Sequence, residues 1–282
     1  MPDYAFRLVN VFAVPGQALS GNPLCVFESG SGLDDATQQA LALQLNLSET
    51  TFIFPSDRAD ARVRIFTPSF EMPFAGHPTL GTAHVLRALT GKAALQLEMK
   101  AGLIPVTSQG DRWTLRANAA KVRAAQPTRA QLAEMLGLKE ADVGEPALWV
   151  NTGSEQLLVP LTSAAAIDRC QPQAALLRMH GGLQDGRYLV YAFARTGADA
   201  VRARFFFEKA GQVIEDPATG SACANLGGYF LHTAGRLANE LGVTQGEHVG
   251  RPSQLRLSVD EHGHSHVSGH VIELGRGTIR LP

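Results

Sequence analysis

Cysteine is scarce in this chain: its 282 residues include three, Cys25, Cys170 and Cys223, far apart and in no C-x-x-C arrangement. That excludes a disulfide framework and a thiolate zinc site, and reduced thiols are the expectation. Nowhere do eighteen apolar residues run together, and no basic segment leads into an apolar run near residue 1. Neither a membrane span nor a leader is therefore expected, and the expected location is the cytoplasm. Charge of one sign is also lacking, since 25 Lys and Arg face 26 Asp and Glu for a formal net charge of −1, with no long basic run. The electrostatic footprint needed to bind a phosphate backbone is missing, which excludes nucleic acid as a partner. There is no G-x-G-x-x-G after a strand, no Walker loop and no G-x-S-x-G elbow. A nucleotide cofactor and a serine-hydrolase mechanism have nothing to rest on.

Apolar residues at 45% and charged ones at 18% give a globular balance with ample material for a core. The length allows one large domain or two, and the pattern along the chain decides for two similar halves, residues 1–120 and 121–282, with the last strand free to pair back with the first half. AFRLVNVF (5–12) alternates as a strand, a Gly-rich turn follows, and PLCVF (23–27) is its hairpin partner. DDATQQALALQL (34–45) has acidic residues first and apolar residues at helical spacing. TTFIF (50–54) and ARVRIF (61–66) read as strands, and a helix runs from Pro78 to about Leu89. The second half repeats this order: PALWVNTG and QLLVPL as strands, SAAAIDRCQPQAALLRM as a helix interrupted near Pro172, RYLVYAFAR and VRARFFFEK as strands, then a second loop and helix. Each half closes with strands, ALQLEMK, LIPVTSQ and RWTLRA in the first, SQLRLSVD, SHVSGHVIEL and GTIRL in the second. NAAKVRAAQPTRA (118–130) reads as a polar connector between them. The expected fold is α+β, two pseudo-symmetric halves whose pseudo-twofold brings two loop-to-helix starts face to face across a cleft that holds the active site.

Those two starts carry the chemistry. HPTLGTA (77–83) and DPATGSA (216–222) align with Pro, Gly and Ala at matched places, and Phe66 and Phe205 lie at the same offset upstream. Each puts a polar side chain just before a helix and small residues in its first turn, as an anion site needs: free backbone N–H groups and the positive helix end attract a carboxylate, and Gly lets the ligand come close. The plainer reading makes Asp216 an N-cap and His77 a turn residue. Glu49 by itself is an ordinary acid between a helix and a strand, solvated or capping. His262, His264, His266 and His270 alternate near the C-terminus, but Gly263, Ser265 and Gly269 among them make a hairpin rim rather than a metal site, and no metal is expected.

NLSETTFIF (46–54), RIFTPSFEMPFAGHPTLGTAH (64–84), EDPATGSA (215–222), QGEHVGRPS (245–253) and GRGTIRL (275–281) together resemble the PhzF family of phenazine-biosynthesis-like isomerases. The resemblance implies the diaminopimelate epimerase-like fold, each half a β-sheet curled around a central helix, and a homodimer that needs no cofactor. It implies that Glu49, His77 and Asp216 are catalytic, with Glu49 moving a proton between substrate carbons, as a carboxylate whose pKa is raised in a dry cleft can do. Ser48, Gly76, Thr219, Gly220 and Ser221 would bind the substrate, a small cyclic or amino- or hydroxy-substituted carboxylate of the trans-2,3-dihydro-3-hydroxyanthranilate type. The epimerase cousins use two opposed cysteines. No cysteine lies between residues 64 and 84 here, and Cys223 falls past Ser221, so a two-thiol racemase is not expected. Two other readings stay open: an amino-acid epimerase using Glu49 and a second non-thiol base, and a binding protein that keeps the cleft without turnover.

Overall fold

A computed structural model describes residues 2–235, 237 and 239–281. The chain divides into two compact units, residues 1–116 together with 268–282, and residues 117–267. The expected second half, 121–282, thus gives its last residues to the first unit.

The first unit opens with β1 (Asp3–Ala13), antiparallel to β2 (Asn22–Phe27). Helix α1 (Asp35–Leu45) follows, capped by Asp34, whose side chain accepts from the Thr37 N–H at 2.8 Å. It ends at Asn46 in the left-handed conformation, φ 50°, a bend that Asn tolerates well. The chain then enters β3 (Glu49–Phe54), which lies parallel to β2, with α1 as the crossover. β4 (Ala61–Phe66) returns antiparallel to β3, and the short β5 (Glu71–Met72) pairs with it. Helix α2 (Gly76–Thr90) carries the chain over to β6 (Ala94–Met99), parallel to β4, and β7 (Gly102–Gln109) and β8 (Arg112–Arg116) complete a meander.

The second unit repeats the sequence of pairings. β9 (Lys121–Ala124) leads to α3 (Arg129–Leu136), and β10 (Leu148–Asn151) is antiparallel both to β9 and to β11 (Glu155–Pro160). Two short helices, α4 (Ala164–Arg169) and α5 (Ala174–His180), cross over to β12 (Leu189–Gly197), parallel to β11. β13 (Ala200–Lys209) and β14 (Gln212–Asp216) add antiparallel strands. Helix α6 (Gly220–Ala234) crosses to β15 (Leu241–Gln245), parallel to β13, and β16 (Ser253–Val259) pairs with β15. The last strand, β17 (Ser265–Arg280), begins in the second unit, and its residues 270–280 pair antiparallel with β1 in the first.

Several expectations change here. The connector at 118–130 holds β9 and the start of α3, whose capping box joins Thr128 and Gln131. KVRA exposes most of its side chains, so it has no apolar alternation to announce a strand, and its pairing with β10 makes it one. SHVSGHVIEL and GTIRL form one continuous strand, and α2 starts at Gly76 rather than Pro78.

Two cores fix these elements. Phe27 and Phe52 stack at 4.7 Å, and Phe66 meets Phe52 edge-on at 5.6 Å, beneath Leu41 of α1. In the second unit Phe193 packs edge-on against Tyr229 and Phe230 of α6 at 5.0 and 5.8 Å. Helix α2 is buried without interruption from His77 to Leu86 and packs on β1, β2, β3, β6 and β8, which only a small residue at the crossing point allows. That residue is Gly81: a Cβ there would lie 2.5 Å from Leu24 Cδ2 and 2.9 Å from Val11 Cγ2. Gly81→Val should lower stability by about 1–3 kcal/mol through overpacking. Urea unfolding checks this, and a midpoint equal to wild type would show that α2 does not seat through Gly81.

Candidate active site

Because β2 and β3 run parallel, with Leu24 opposite Glu49, their first residues come together at one end of the first unit. Asn22 and Pro23 start one strand, and Ser48 and Glu49 the other, with the Ser48 hydroxyl 3.4 Å from Asn22 Oδ1. Helix α2 begins at the same place. Its N-cap residue, Ala75, has no side chain to cap with, so the first-turn N–H groups of Gly76 and its neighbours meet no capping side chain. His77, the second residue of the helix, is 7% exposed, and its ring donates to the Pro23 carbonyl. Nε2 has no hydrogen bond of its own, so Nδ1 carries that donated proton. Nε2 stands 3.3 Å from Glu49 Oε2. Burial pulls the His77 pKa down to about 3 against the smaller opposing pull of the Pro23 bond, so the ring is neutral and turns its lone pair toward Glu49.

The second unit presents a different set. Asp216 is the last residue of β14, and its Oδ2 accepts from the Thr219 hydroxyl. It is not a helix cap: that position belongs to Thr219, which makes no side-chain cap bond either. Gln245, buried at the end of β15, donates through Nε2 to the Asp216 carbonyl at 2.8 Å and to Thr219 Oγ1 at 3.0 Å, and its Oε1 accepts from the Thr219 N–H at 3.4 Å. Gly246 beside it has φ 81°, and a Cβ there would lie 2.4 Å from the Pro217 carbonyl oxygen and 2.3 Å from that of Arg251. The QGEHVGRPS segment is therefore the brace of the 216–219 loop, a role that sequence reading did not give it. Gly220 opens α6 and Ser221 follows it, its hydroxyl accepting from Gln156 Nε2 at 2.8 Å.

The match between the two loops has another register than the sequence suggested. The helix starts, Gly76 and Gly220, correspond, and so do the left-handed C-cap glycines, Gly91 and Gly235. Ser221, not Asp216, therefore stands where His77 stands, and His77 lies within its helix rather than before it. The sequence match slipped because the hairpins differ in length: Phe66 pairs with Glu71 around residues 67–70, whereas Phe205 pairs with Asp216 around 206–215. Glu49, His77, Ser48 and Gly76 are thus grouped in the first unit, and Asp216, Thr219, Gly220 and Ser221 in the second.

All three cysteines are free and buried, and burial raises the thiols of Cys25 and Cys170 to about 12 and that of Cys223 higher still. None is a thiolate at neutral pH, and Cys223 lies inside α6. Asp260 accepts from the backbone N–H groups of His262 and His264 and lies 3.0 Å from His266 Nε2, which ties the histidine-rich segment into a turn. Among the described residues no cluster of three or more His, Cys, Asp or Glu side chains suits a metal, and no helix is long and apolar enough to cross a membrane.

Residues 9–276 match the model of the family described as phenazine biosynthesis-like protein, PhzC-PhzF. A protein of Pasteurella multocida named an uncharacterized isomerase is 40% identical over 286 residues, covering 100% of this chain and 96% of its own. The trans-2,3-dihydro-3-hydroxyanthranilate isomerase of Pseudomonas aeruginosa is 36% identical, with 88% of each chain covered. A Bacillus anthracis phenazine biosynthesis protein of the PhzF family has the same fold, with a TM-score of 0.86, 23% identity and 100% of both chains covered.

The buried neutral His77 has a measurable cost. Its pKa falls from 6.5 in the unfolded chain to about 3, so the unfolded state binds the extra proton first and stability is lost as pH falls below about 6.5. Near pH 5 that loss should be about 2 kcal/mol. Urea midpoints of wild type and His77→Gln measured from pH 7.5 down to about 5 should converge or cross, and parallel curves would mean that His77 is not held neutral.

Proposed function

As a member of the phenazine biosynthesis-like (PhzC-PhzF) family the chain is an isomerase, and we propose that it shifts a proton within a small cyclic or amino- or hydroxy-substituted carboxylate, without a cofactor. The name of the Pseudomonas aeruginosa relative, trans-2,3-dihydro-3-hydroxyanthranilate isomerase, supports a substrate of that type. The observation that carries the reading is the 3.3 Å contact between Glu49 Oε2 and His77 Nε2.

In the proposed reaction the Glu49 carboxylate takes a proton from one substrate carbon. The C–H electron pair moves into the conjugated carboxylate of the substrate, and a Glu49 O–H forms. That O–H then breaks as a new C–H bond forms at a second carbon, so the proton and the electron pair both return to the substrate. While Glu49 carries the proton, His77 Nε2 accepts a hydrogen bond from it. Burial keeps His77 from taking the proton for itself, because an imidazolium there is disfavoured. The N–H groups at Gly76, Gly220 and Ser221 hold the substrate carboxylate and the charge that builds on it. Asp216, with Thr219, holds an amino or hydroxyl group of the same substrate, and Ser48 lines the approach to Glu49.

Substrate deuterated at the carbon that loses its proton tests the reaction class. The isomerase moves label to another carbon, whereas an epimerase using Glu49 and a second non-thiol base inverts one centre. Glu49→Gln should abolish transfer and leave ligand binding, since the amide keeps the shape but cannot accept a carbon-bound proton; turnover within about tenfold of wild type would remove Glu49 as the carrier. Asp216→Asn should lower turnover by roughly 10²-fold with Tm almost unmoved, because an amide oxygen still accepts from Thr219 while the charge is gone. Activity within a few-fold of wild type would reduce Asp216 to a loop brace.

A further inference from the structure

Ser221 ends a chain of hydrogen bonds whose direction is set by the backbone at its far end. The backbone N–H of Thr152 donates to Asn225 Oδ1 at 2.8 Å, and the Thr152 hydroxyl donates to the same oxygen at 2.7 Å. A backbone N–H cannot accept, so this end of the Asn225 amide is its oxygen. The other end, Nδ2, donates to the Ser154 carbonyl at 2.8 Å, which can only accept, and to Gln156 Oε1 at 2.6 Å. The Gln156 amide is thereby fixed as well, with its Nε2 donating to Ser221 Oγ at 2.8 Å. Asn225 is fully buried and Gln156 nearly so, and both hydrogens and both acceptor sites of the Asn225 amide are used. Flipping either amide would set donor against donor and acceptor against acceptor in a buried place, at a cost that keeps the chain in one sense.

The consequence falls on Ser221. Its oxygen is occupied as an acceptor, and among the described residues the hydroxyl has no other partner, so its proton remains for a ligand. A hydroxyl obliged to donate at a helix start suits an anionic acceptor and disfavours a group that must itself donate. We propose that Gln156 and Asn225 are positioning residues that polarise Ser221 as a donor to the substrate carboxylate, and so set the preference of the site for an acid over its amide. This inference rests on the carboxylate reading given above.

The test uses anthranilate and anthranilamide as a matched acid and amide pair, titrated calorimetrically against the full-length protein. Wild type should prefer the acid by about tenfold or more. Gln156→Glu keeps an oxygen for Asn225 Nδ2 but turns the other end into an acceptor, so Ser221 must donate backward and present lone pairs to the ligand. The preference for the acid should then fall about tenfold or more, with the amide bound as before or better. The added charge also repels an acid through space, and the double variant Gln156→Glu/Ser221→Ala measures that part: relative to Ser221→Ala alone, the further loss should be much smaller. Asn225→Asp provides a second reversal without a charge next to Ser221, since the introduced carboxylate can only accept and Gln156 then turns over to donate to it. Should these variants not fold, Ser221→Ala alone decides, because the proposal requires it to lose most of the acid preference.

Failure of the wild type to bind anthranilate, or equal affinity for acid and amide, overturns the carboxylate reading and this inference with it. A wild type that discriminates, beside folded Gln156→Glu and Asn225→Asp variants that discriminate equally well, overturns the relay alone. A Ser221→Ala protein with wild-type preference does the same.

Discussion

The first turn of a helix leaves backbone N–H groups without intrahelical partners, and the candidate residues of both units gather around two such starts. Neither α2 nor α6 satisfies these groups with a capping side chain, since Ala75 and Thr219 both leave their caps unmade. Both helices serve as the crossover between parallel strands, β4 to β6 and β13 to β15, so each starts beside the end of a sheet. Helix-start donors without a side-chain cap attract an anionic group, which is why the proposed reaction gives them the substrate carboxylate.

At the second residue of each helix the two units part company. His77 is held from the side by the Pro23 carbonyl of β2, and Ser221 by Gln156 of β11. These strands correspond, each being the one that runs parallel to its neighbour across a helical crossover. The same geometric need, fixing a side chain at a buried helix start, is therefore met in opposite senses. His77 donates to its support and shows a lone pair. Ser221 accepts from its support and keeps a proton. One helix start accepts next to Glu49, and the other donates, which gives a repeated architecture two unlike chemical ends.

Much of this could be read in the sequence. Alternation and helical spacing located most of the strands and α1, whereas Glu49, otherwise an ordinary acid after a helix, is a candidate only through the resemblance. Correspondence of the halves was legible as well, but its register was not. Pro, Gly and Ala recur in HPTLGTA and DPATGSA, and three small matches outweigh the true alignment of helix starts when the preceding hairpins differ in length. Gln156, Gln245 and Asn225 were missed for a different reason. Buried amides are patternless in sequence, because what distinguishes them is a set of backbone partners on other strands. The strands β9 and β14 escaped because their pairing, not their side chains, defines them, and β15 because it is five residues long with only Leu241 and Val243 apolar in alternation.

The protonation of His77 shows why burial matters as much as identity at these positions. A solvated histidine 3.3 Å from a glutamate would gain a proton and settle into an ion pair with it. Taking the ring out of water removes that outcome, since the desolvation that lowers its pKa to about 3 outweighs what the Pro23 carbonyl returns. What is left is a neutral ring whose Nε2 lone pair faces Glu49 Oε2 and can accept a hydrogen bond. If Glu49 is the base of the proposed reaction, it needs both a partner to steady the acid once formed and no second base nearby strong enough to keep the proton. Moving His77 toward solvent would restore its basicity, so the close packing of α2 around Gly81 and the neutral state of the ring in its first turn are parts of one requirement.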